Sequence, residues 1–224
     1  MARTNPTRPV PKKRGGRRGK GRPTDPNMAV GSDAIVNETC KLLAKMPPAK
    51  VTRAAVARAA GVDPSLIRYY FRNRSLLILA AFKKLTDEYT GFLNEESEKC
   101  DGTPHGRLCA SVAALFRLST KYPYYYDLLV DEIAVMKEKE AQDYLQKLQR
   151  DHAELHRSII EAGIADGSFR KMDANLLLIA ISGMCHFFSK GALVLEDGGT
   201  TGSAMRQAYF DLVCDVLLNG LEQR

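Results

Sequence analysis

Apolar residues recur every three or four positions from about residue 32 onward, which is the spacing of helices that bury one face. Prolines, glycines and helix-capping residues interrupt this pattern and divide it into nine predicted helices. These begin near residues 32, 52, 64, 74, 104, 124, 138, 174 and 203, and we expect Ser32 to cap the first. Because no segment alternates with the two-residue period of a strand, the pattern predicts an all-α fold.

The first 27 residues differ from the rest, because prolines and glycines interrupt a stretch with almost no apolar side chains. Such a segment cannot bury enough apolar surface to offset the entropy lost on ordering, so we expect a disordered arm over residues 1–27. Residues 1–24 hold nine lysines and arginines and no acidic residue, whereas residues 85–224 hold 14 basic and 22 acidic residues. This asymmetry favours a polyanionic partner that binds one end of the molecule.

The overall composition is that of an ordinary globular protein, with 45% apolar and 26% charged residues. The five cysteines are scattered and odd in number, which favours free thiols in a reducing compartment over a disulfide framework. The longest nearly apolar run, residues 176–188, is shorter than a membrane span, and residues 1–20 lack an apolar leader segment. We therefore expect a cytoplasmic protein that has no membrane partner.

Two of the predicted helices are short and are separated by a tight glycine turn. The first covers about residues 52–60, Gly61 can adopt the positive φ of the turn, and Pro64 suits the first position of the second helix. Ala57 is small enough for the point where the two helices cross, and Ile67 is placed to fill their shared core. This arrangement is typical of a helix-turn-helix, whose second helix lies in the major groove of DNA.

Polar and basic side chains surround this motif at positions where they could contact DNA. Those on the second helix would reach base edges, while those at the N-terminus of the first helix and after the motif would bind phosphates. The candidate contacts are Thr52, Arg53, Pro64, Ser65, Arg68, Tyr69, Tyr70, Arg72 and Arg74. Arg22 is a further candidate, because an extended Gly-Arg-Pro can lie in a narrow A·T minor groove; a nonspecific basic tail explains it equally well.

Residues 52–77 resemble the DNA-binding domain of TetR-type transcriptional regulators. The similarity covers about residues 32–80. The features that keep the family's register are Ala60-Gly61-Val62, Tyr70-Phe71, Arg74 and Leu76-Leu77. Two positions depart from the family pattern, since Arg68 stands where tyrosine is usual and Asp63 replaces the usual serine.

The resemblance implies an all-helical homodimer with a helix-turn-helix domain over residues 28–78 and an effector-binding and dimerisation domain over residues 79–224. In such regulators the last two helices form a four-helix bundle between subunits. The apolar run over residues 174–195 and the stripe on the last helix are compatible with such a seam. The candidate interface residues are Leu177, Ile181, Met184, Leu212 and Val216. Packing of both helices inside a monomer is the alternative.

The resemblance also implies a small effector in the C-terminal domain. Aromatic residues could line its pocket, since ligand sites are mostly apolar, and the candidates are Phe116, Tyr122, Tyr125 and Phe188. Ordinary helix packing explains the same aromatic residues equally well. His152 and His156 lie four positions apart, but no third ligand accompanies them, which favours a solvated helix face over a metal site.

These features predict a sequence-specific DNA-binding regulator, a homodimeric repressor that a small apolar or aromatic effector releases from a palindromic operator. The alternative is an architectural or protein-responsive DNA-binding regulator without a small-molecule effector. An enzyme is disfavoured because no recognisable catalytic motif occurs, and we expect no catalytic residue, cofactor or metal. The expected partners are double-stranded DNA, a second copy of the chain and the effector.

Overall fold

The computed structural model describes residues 31–195 and 203–219, with side chains for residues 31–187 and 208–216. Residues 1–27 of the predicted arm, which include Arg22, lie outside the described part. The helices are α1 (Ser32–Leu43), α2 (Arg53–Ala60), α3 (Pro64–Tyr70), α4 (Arg74–Lys99), α5 (Pro104–Lys121), α6 (Tyr125–Asp127), α7 (Lys139–Ala165), α8 (Ala174–Leu195) and α9 (Ser203–Asn219). The described ranges contain no extended strand, which confirms the all-α prediction.

Local capping determines where the short N-terminal helices begin. The Thr52 hydroxyl accepts a hydrogen bond from the Ala55 amide at 3.1 Å, so it caps α2. Asp63 accepts from the Ser65 amide at 2.7 Å and caps α3. The expected cap at Ser32 is wrong: this serine is the first residue of α1, and Gly31 occupies the cap position without a side-chain bond.

The N-terminal helices and α4 share one apolar core. In α4 the buried residues follow the three- and four-residue spacing of a single helix face, among them Leu77, Ile78, Phe82 and Leu85. Ile35 of α1 is completely buried with them. The proposed domain division after residue 78 falls within α4, so the helix-turn-helix and the rest of the protein are joined by one continuous helix.

Past Tyr125–Asp127, helix α6 continues as π-helical turns over Leu128–Ile133. The amide of Ala134 donates to the carbonyl of Leu129 at 2.8 Å, which is the five-residue spacing of a π-helix. Phe82 of α4 stacks on Tyr125 with ring centroids 5.7 Å apart. This part of the chain therefore packs directly against α4, the helix that follows α2 and α3.

A second core joins α5, α7, α8 and α9 in the remainder of the protein. It contains Leu108, Ile159, Ile160, Ile181 and Val213, all of them buried. The hydroxyl of Tyr209 in α9 donates to the carbonyl of Met184 in α8 at 2.8 Å. These contacts hold α8 and α9 next to each other. None of the described helices combines the length and the apolarity that crossing a membrane requires.

Candidate nucleic-acid interface and effector cavity

The turn between α2 and α3 has the geometry that the sequence predicts. Gly61 adopts φ +65°, a left-handed conformation that residues with a side chain rarely accept. Ala57 is buried where the two helices meet, and its carbonyl accepts from the Val62 amide at 3.0 Å. Pro64 is the first residue of α3, where its missing amide proton costs no helical hydrogen bond. The predicted helix-turn-helix is therefore formed.

Helix α3 has a buried face and a solvent-exposed face. Leu66 and Ile67 point into the N-terminal core, as predicted for Ile67. Tyr69 is 80% exposed, an unusual position for a large aromatic ring on a protein surface. The other exposed residues of this helix are Pro64, Ser65 and Arg68. A face of this kind is available for contact with DNA.

Tyr70, by contrast, is partly buried and packs against the N-terminal core. Its ring lies edge-on to the ring of Tyr69, with centroids 5.1 Å apart. Asp63, which caps the same helix, has its pKa lowered by hydrogen bonds from the side chain and amide of Ser65. A charged carboxylate at this end stabilises the helix through its dipole.

The predicted phosphate contacts at the start of α2 and after α3 differ in exposure. Thr52 and Arg72 are exposed, and Arg53 is partly exposed, with its guanidinium 3.5 Å from the Arg72 carbonyl. The structure thus brings Arg53 and Arg72 to the same edge of the motif. A patch of this kind, next to the N-terminus of α2, has the charge that phosphates prefer.

Arg74 is turned inward, which corrects its assignment as a clamp on the DNA backbone. Its Nε donates to the Val51 carbonyl at 2.9 Å, and its Nη2 donates to the Pro48 carbonyl at 2.5 Å. Nη1 and Nη2 also donate to the Glu132 carboxylate, to Oε2 at 2.7 Å and to Oε1 at 2.8 Å. With its donors directed at these protein oxygens, Arg74 joins the helix-turn-helix to the π-helical segment instead of binding phosphate.

Asn73, which precedes Arg74, provides a second link between the same two parts. Its Oδ1 accepts from the Leu76 amide at 2.8 Å and so caps α4. Its Nδ2 lies 3.4 Å from Oε1 of Glu138, just before α7. Neither Glu132 nor Glu138 was expected from the sequence to have a role, since each lies about 60 positions from its partner.

A cavity of about 260 Å³ lies between α4, α5, α7, α8 and the π-helical segment. Its walls are leucines and aromatic rings together with a few neutral polar groups. They comprise Tyr89, Leu115, Leu118, Tyr125, Tyr126, Leu129, Val130, Ala134, Leu145, Leu148, Gln149, His152, His156, Leu178 and Ser182. A concave, mostly apolar site with a few polar groups is the usual form of a small-molecule pocket.

The two histidines of α7 form part of this cavity, so their assignment to a solvated helix face is wrong. His156 is only 3% exposed. Its Nδ1 lies 2.8 Å from the His152 carbonyl and must donate to it, so Nε2 accepts the 2.9 Å bond from the Ser111 hydroxyl. Burial lowers the pKa of His156 and lowers that of His152 to about 4. Both rings are therefore neutral near pH 7.

Of the four residues predicted to line an effector pocket, Tyr125 lies in this cavity. Tyr122 lies elsewhere, in a groove between α1, α4 and α5, where its hydroxyl donates to Glu88 at 2.8 Å. Phe116 stacks on Tyr209 of α9, with centroids 6.2 Å apart. Both assignments are corrected, because these rings pack within the protein. The side chain of Phe188 lies outside the described part.

The predicted dimer residues divide between the core and the surface. Leu177 and Ile181 are 7% and 1% exposed and pack in the second core, so they are not available to a partner. Met184 is partly buried in the same cluster. Leu212 and Val216 of α9 are 55% and 58% exposed. Among the described side chains of α8, the exposed large apolar residues are instead Leu176, Ile179 and Phe187.

Comparisons with known proteins agree with this architecture. A family model described as the C-terminal domain of tetracyclin repressor-like proteins matches residues 101–223, more than half of the chain. The HTH-type transcriptional regulator BetI of Rhizobium meliloti (strain 1021) is 25% identical over 138 residues, which are 60% of this chain and 64% of that protein. The chain thus spans less than two thirds of the length of this curated relative.

Solved structures share the fold at low sequence identity. The ketosteroid transcriptional regulator KstR2 of Mycobacterium tuberculosis superposes with a TM-score of 0.67 and is 14% identical, over 91% of this chain and 98% of that chain. A regulatory protein of the tetR family from Rhodococcus RHA1 superposes with a TM-score of 0.65 at 15% identity, over 90% of this chain and 100% of that chain. At such identities the likeness concerns the fold alone.

Proposed function

The chain belongs to the tetracyclin repressor-like (TetR) family of DNA-binding transcriptional regulators, and from this premise we propose that it is a homodimeric repressor of a pseudo-palindromic operator. In this proposal, binding of a small apolar or aromatic effector makes the protein dissociate from the operator. The observation that carries the DNA-binding role is the exposed face of α3, where Ser65, Arg68 and Tyr69 project from a buried scaffold.

In the proposed complex, α3 lies in the major groove. Arg68 donates to a guanine edge, and Ser65 and Tyr69 contact neighbouring bases. Thr52, Arg53 and Arg72 bind the flanking phosphates, which fix the register of the helix without reading sequence. The basic arm, including Arg22, adds phosphate or minor-groove contacts and increases the dependence of binding on salt.

The proposed dimer seam is the apolar surface of α8 and α9. Leu176, Ile179 and Phe187 of α8 and Leu212 and Val216 of α9 are large apolar side chains that remain exposed in one protomer. Such a patch is typical of a protein–protein interface, and a two-fold axis through it would pair the two motifs on one operator.

The proposed route from effector to DNA runs through the π-helical segment. Tyr125 and Leu129 line the cavity, and Glu132, further along the same segment, holds Arg74 at the start of α4. An effector that displaces this segment would therefore move the helix-turn-helix. Shifts of a few ångströms change the spacing of the two recognition helices and lower operator affinity by linkage.

A regulator without a small-molecule effector remains the second candidate. Such a regulator would need no cavity in its C-terminal domain. The structure instead has a cavity of about 260 Å³ that the π-helical segment helps to line. This cavity favours the effector-responsive function over the alternative.

Selection of bound duplexes from a random pool tests the DNA-binding role. We expect the purified protein to enrich an inverted repeat, and Arg68→Ala to lose the preference at one symmetric pair of positions. Arg150→Ala, which removes an exposed arginine from α7, is the matched control and should enrich the same repeat as the wild type. Enrichment of no sequence, or the same sequence with Arg68→Ala, would contradict the proposal.

A further inference from the structure

The geometry points to an uncharged molecule of one or two rings, with one hydroxyl or carbonyl group, as the occupant of the 260 Å³ cavity. That this occupant is the effector rests on the proposed function; its chemistry does not. Its chemistry follows from the charge of the walls, from an unpaired hydroxyl among them and from the size of the space.

The walls of the cavity provide no counter-ion for a charged ligand. None of the 15 lining residues is Asp, Glu, Lys or Arg. The remaining titratable bases, His152 and His156, are neutral at pH 7, because burial lowers the pKa of both. A carboxylate or an ammonium group would therefore lose its hydration without gaining an opposite charge, which costs several kcal/mol.

A shallower hollow with charged groups adjoins the cavity at Tyr126 and Ser182. This hollow shares those two residues with the cavity and adds Asp127, Asp131 and His186. Two carboxylates at this side would repel an anionic ligand as it approaches. They would not oppose a cation in this way, so the test includes a cation as well as an anion.

Tyr125 supplies the polar anchor. It is 5% exposed and lies in the cavity wall, yet its hydroxyl has no hydrogen-bond partner among the described residues. Burial raises the pKa of this phenol, so it stays a neutral donor. A tyrosine hydroxyl in a cavity wall can donate a hydrogen bond to a molecule bound there. An oxygen on the ligand would accept this hydrogen bond.

The space and the shape of the walls limit the size of the ligand. An apolar cavity of about 150 Å³ holds benzene, so 260 Å³ is enough for one or two rings. The rings of Tyr89, Tyr125 and Tyr126 are wall elements against which a flat ring can stack or lie edge-on. Leucines from α5, α7 and α8 cover the rest of its surface.

Binding of matched probes to the full-length protein, measured by calorimetry without DNA, tests the inference. One set is 2-naphthol, naphthalene, 2-naphthoate and 2-naphthylmethylamine, and a one-ring set is 4-propylphenol, propylbenzene, 4-propylbenzoate and 4-propylbenzylamine. In at least one set we expect the phenol to bind at least about tenfold more tightly than the anion and the cation. Equal or tighter binding of a charged member in both sets, or no phenol with a Kd below about 1 mM, would overturn the inference.

Two matched variants test the anchor. Tyr125→Phe removes only the hydroxyl and should weaken binding of the phenol roughly 3- to 10-fold, while binding of the unsubstituted hydrocarbon stays the same. Tyr122→Phe removes a tyrosine hydroxyl outside the cavity and should change neither. Unchanged phenol binding in Tyr125→Phe would overturn the role of the anchor. The comparison of charges uses the wild-type protein and does not depend on either variant.

The same probes separate this inference from the proposed function. Neutral probes that bind without releasing the selected operator would support the cavity chemistry and contradict the effector role of the site. Release of the operator by a charged compound, with no binding of the neutral probes, would overturn the inference and leave the regulatory function standing.

Discussion

At the level of single residues, the guanidinium of Arg74 holds three parts of the protein together. It donates to backbone carbonyls on either side of Lys50 and to both oxygens of Glu132. A bidentate, partly buried pair of this kind is stronger than a surface ion pair, since less of its energy is lost to water. Arg72, two positions earlier, is exposed and remains available to DNA. The proposal therefore assigns separate roles to the two neighbouring arginines.

Alanine substitutions at these two arginines should change different quantities, protein stability for Arg74 and the salt dependence of operator binding for Arg72. Arg74→Ala leaves the Glu132 carboxylate without its partner, so we expect the free energy of unfolding to fall by about 2 kcal/mol in a urea titration. The salt dependence of operator binding should stay unchanged. Arg72→Ala should leave stability unchanged and reduce the slope of log K against log salt by about one. A reduced slope in Arg74→Ala would instead restore its role as a phosphate contact.

At the level of helices, the proposed response to an effector depends on α7 and the π-helical segment. Both contribute to the cavity, and the π-helical segment also carries Glu132. A π-helical turn is rare and often occurs at functional sites. Helix α7 adds the partly buried His152 and the buried His156, whose neutral rings keep the cavity uncharged.

The buried histidines of α7 give the stability of the protein a pH dependence. Burial lowers the pKa of His152 to about 4, whereas an unfolded chain has a histidine pKa of about 6.5. Between these values the unfolded chain binds more protons, so stability falls as pH falls, by up to about 1.4 kcal/mol per pH unit for one histidine.

Urea titrations at pH 6.5 and pH 5 measure this effect. We expect wild type to lose more stability than His152→Gln over this interval, and His105→Gln, which changes an exposed histidine of α5, to behave like wild type. Equal losses in wild type and His152→Gln would show that His152 does not carry the effect.

The sequence was sufficient to predict elements that depend on residues close together in the chain, such as helix caps and turn glycines. Thr52, Gly61 and Asp63 act on residues within a few positions, so the helix-turn-helix followed from the sequence. Partners far apart in sequence were not predictable: Arg74 and Glu132 lie 58 positions apart. In α8, which is apolar around most of its circumference, periodicity could not distinguish buried Leu177 from exposed Leu176.

At the level of the whole molecule, the three surfaces used in the proposal belong to different helices. The exposed face lies on α3, the cavity lies among α4, α5, α7, α8 and the π-helical segment, and the exposed apolar residues lie on α8 and α9. The charge along the sequence follows the same division, with the basic residues concentrated in the N-terminal third. A dimer that closes through α8 and α9 would present two basic motifs to one DNA duplex.

A charge placed in the proposed seam should separate the subunits. Ile179 of α8 is 67% exposed, and in a two-fold dimer Ile179→Glu would bring like charges into an apolar interface. We expect this to weaken dimerisation at least about tenfold in sedimentation equilibrium. Val135→Glu alters a similarly exposed apolar residue away from α8 and α9 and is the matched control. An unchanged dimer in Ile179→Glu would place the interface elsewhere.

The most direct test of the central claim is methylation protection of guanine N7, an atom of the major groove, on the selected operator. If two copies of α3 occupy successive major grooves, protection should appear in two symmetric clusters, with centres a whole number of helical turns apart. Unprotected N7 positions throughout the bound operator, or a single cluster without symmetry, would contradict the account.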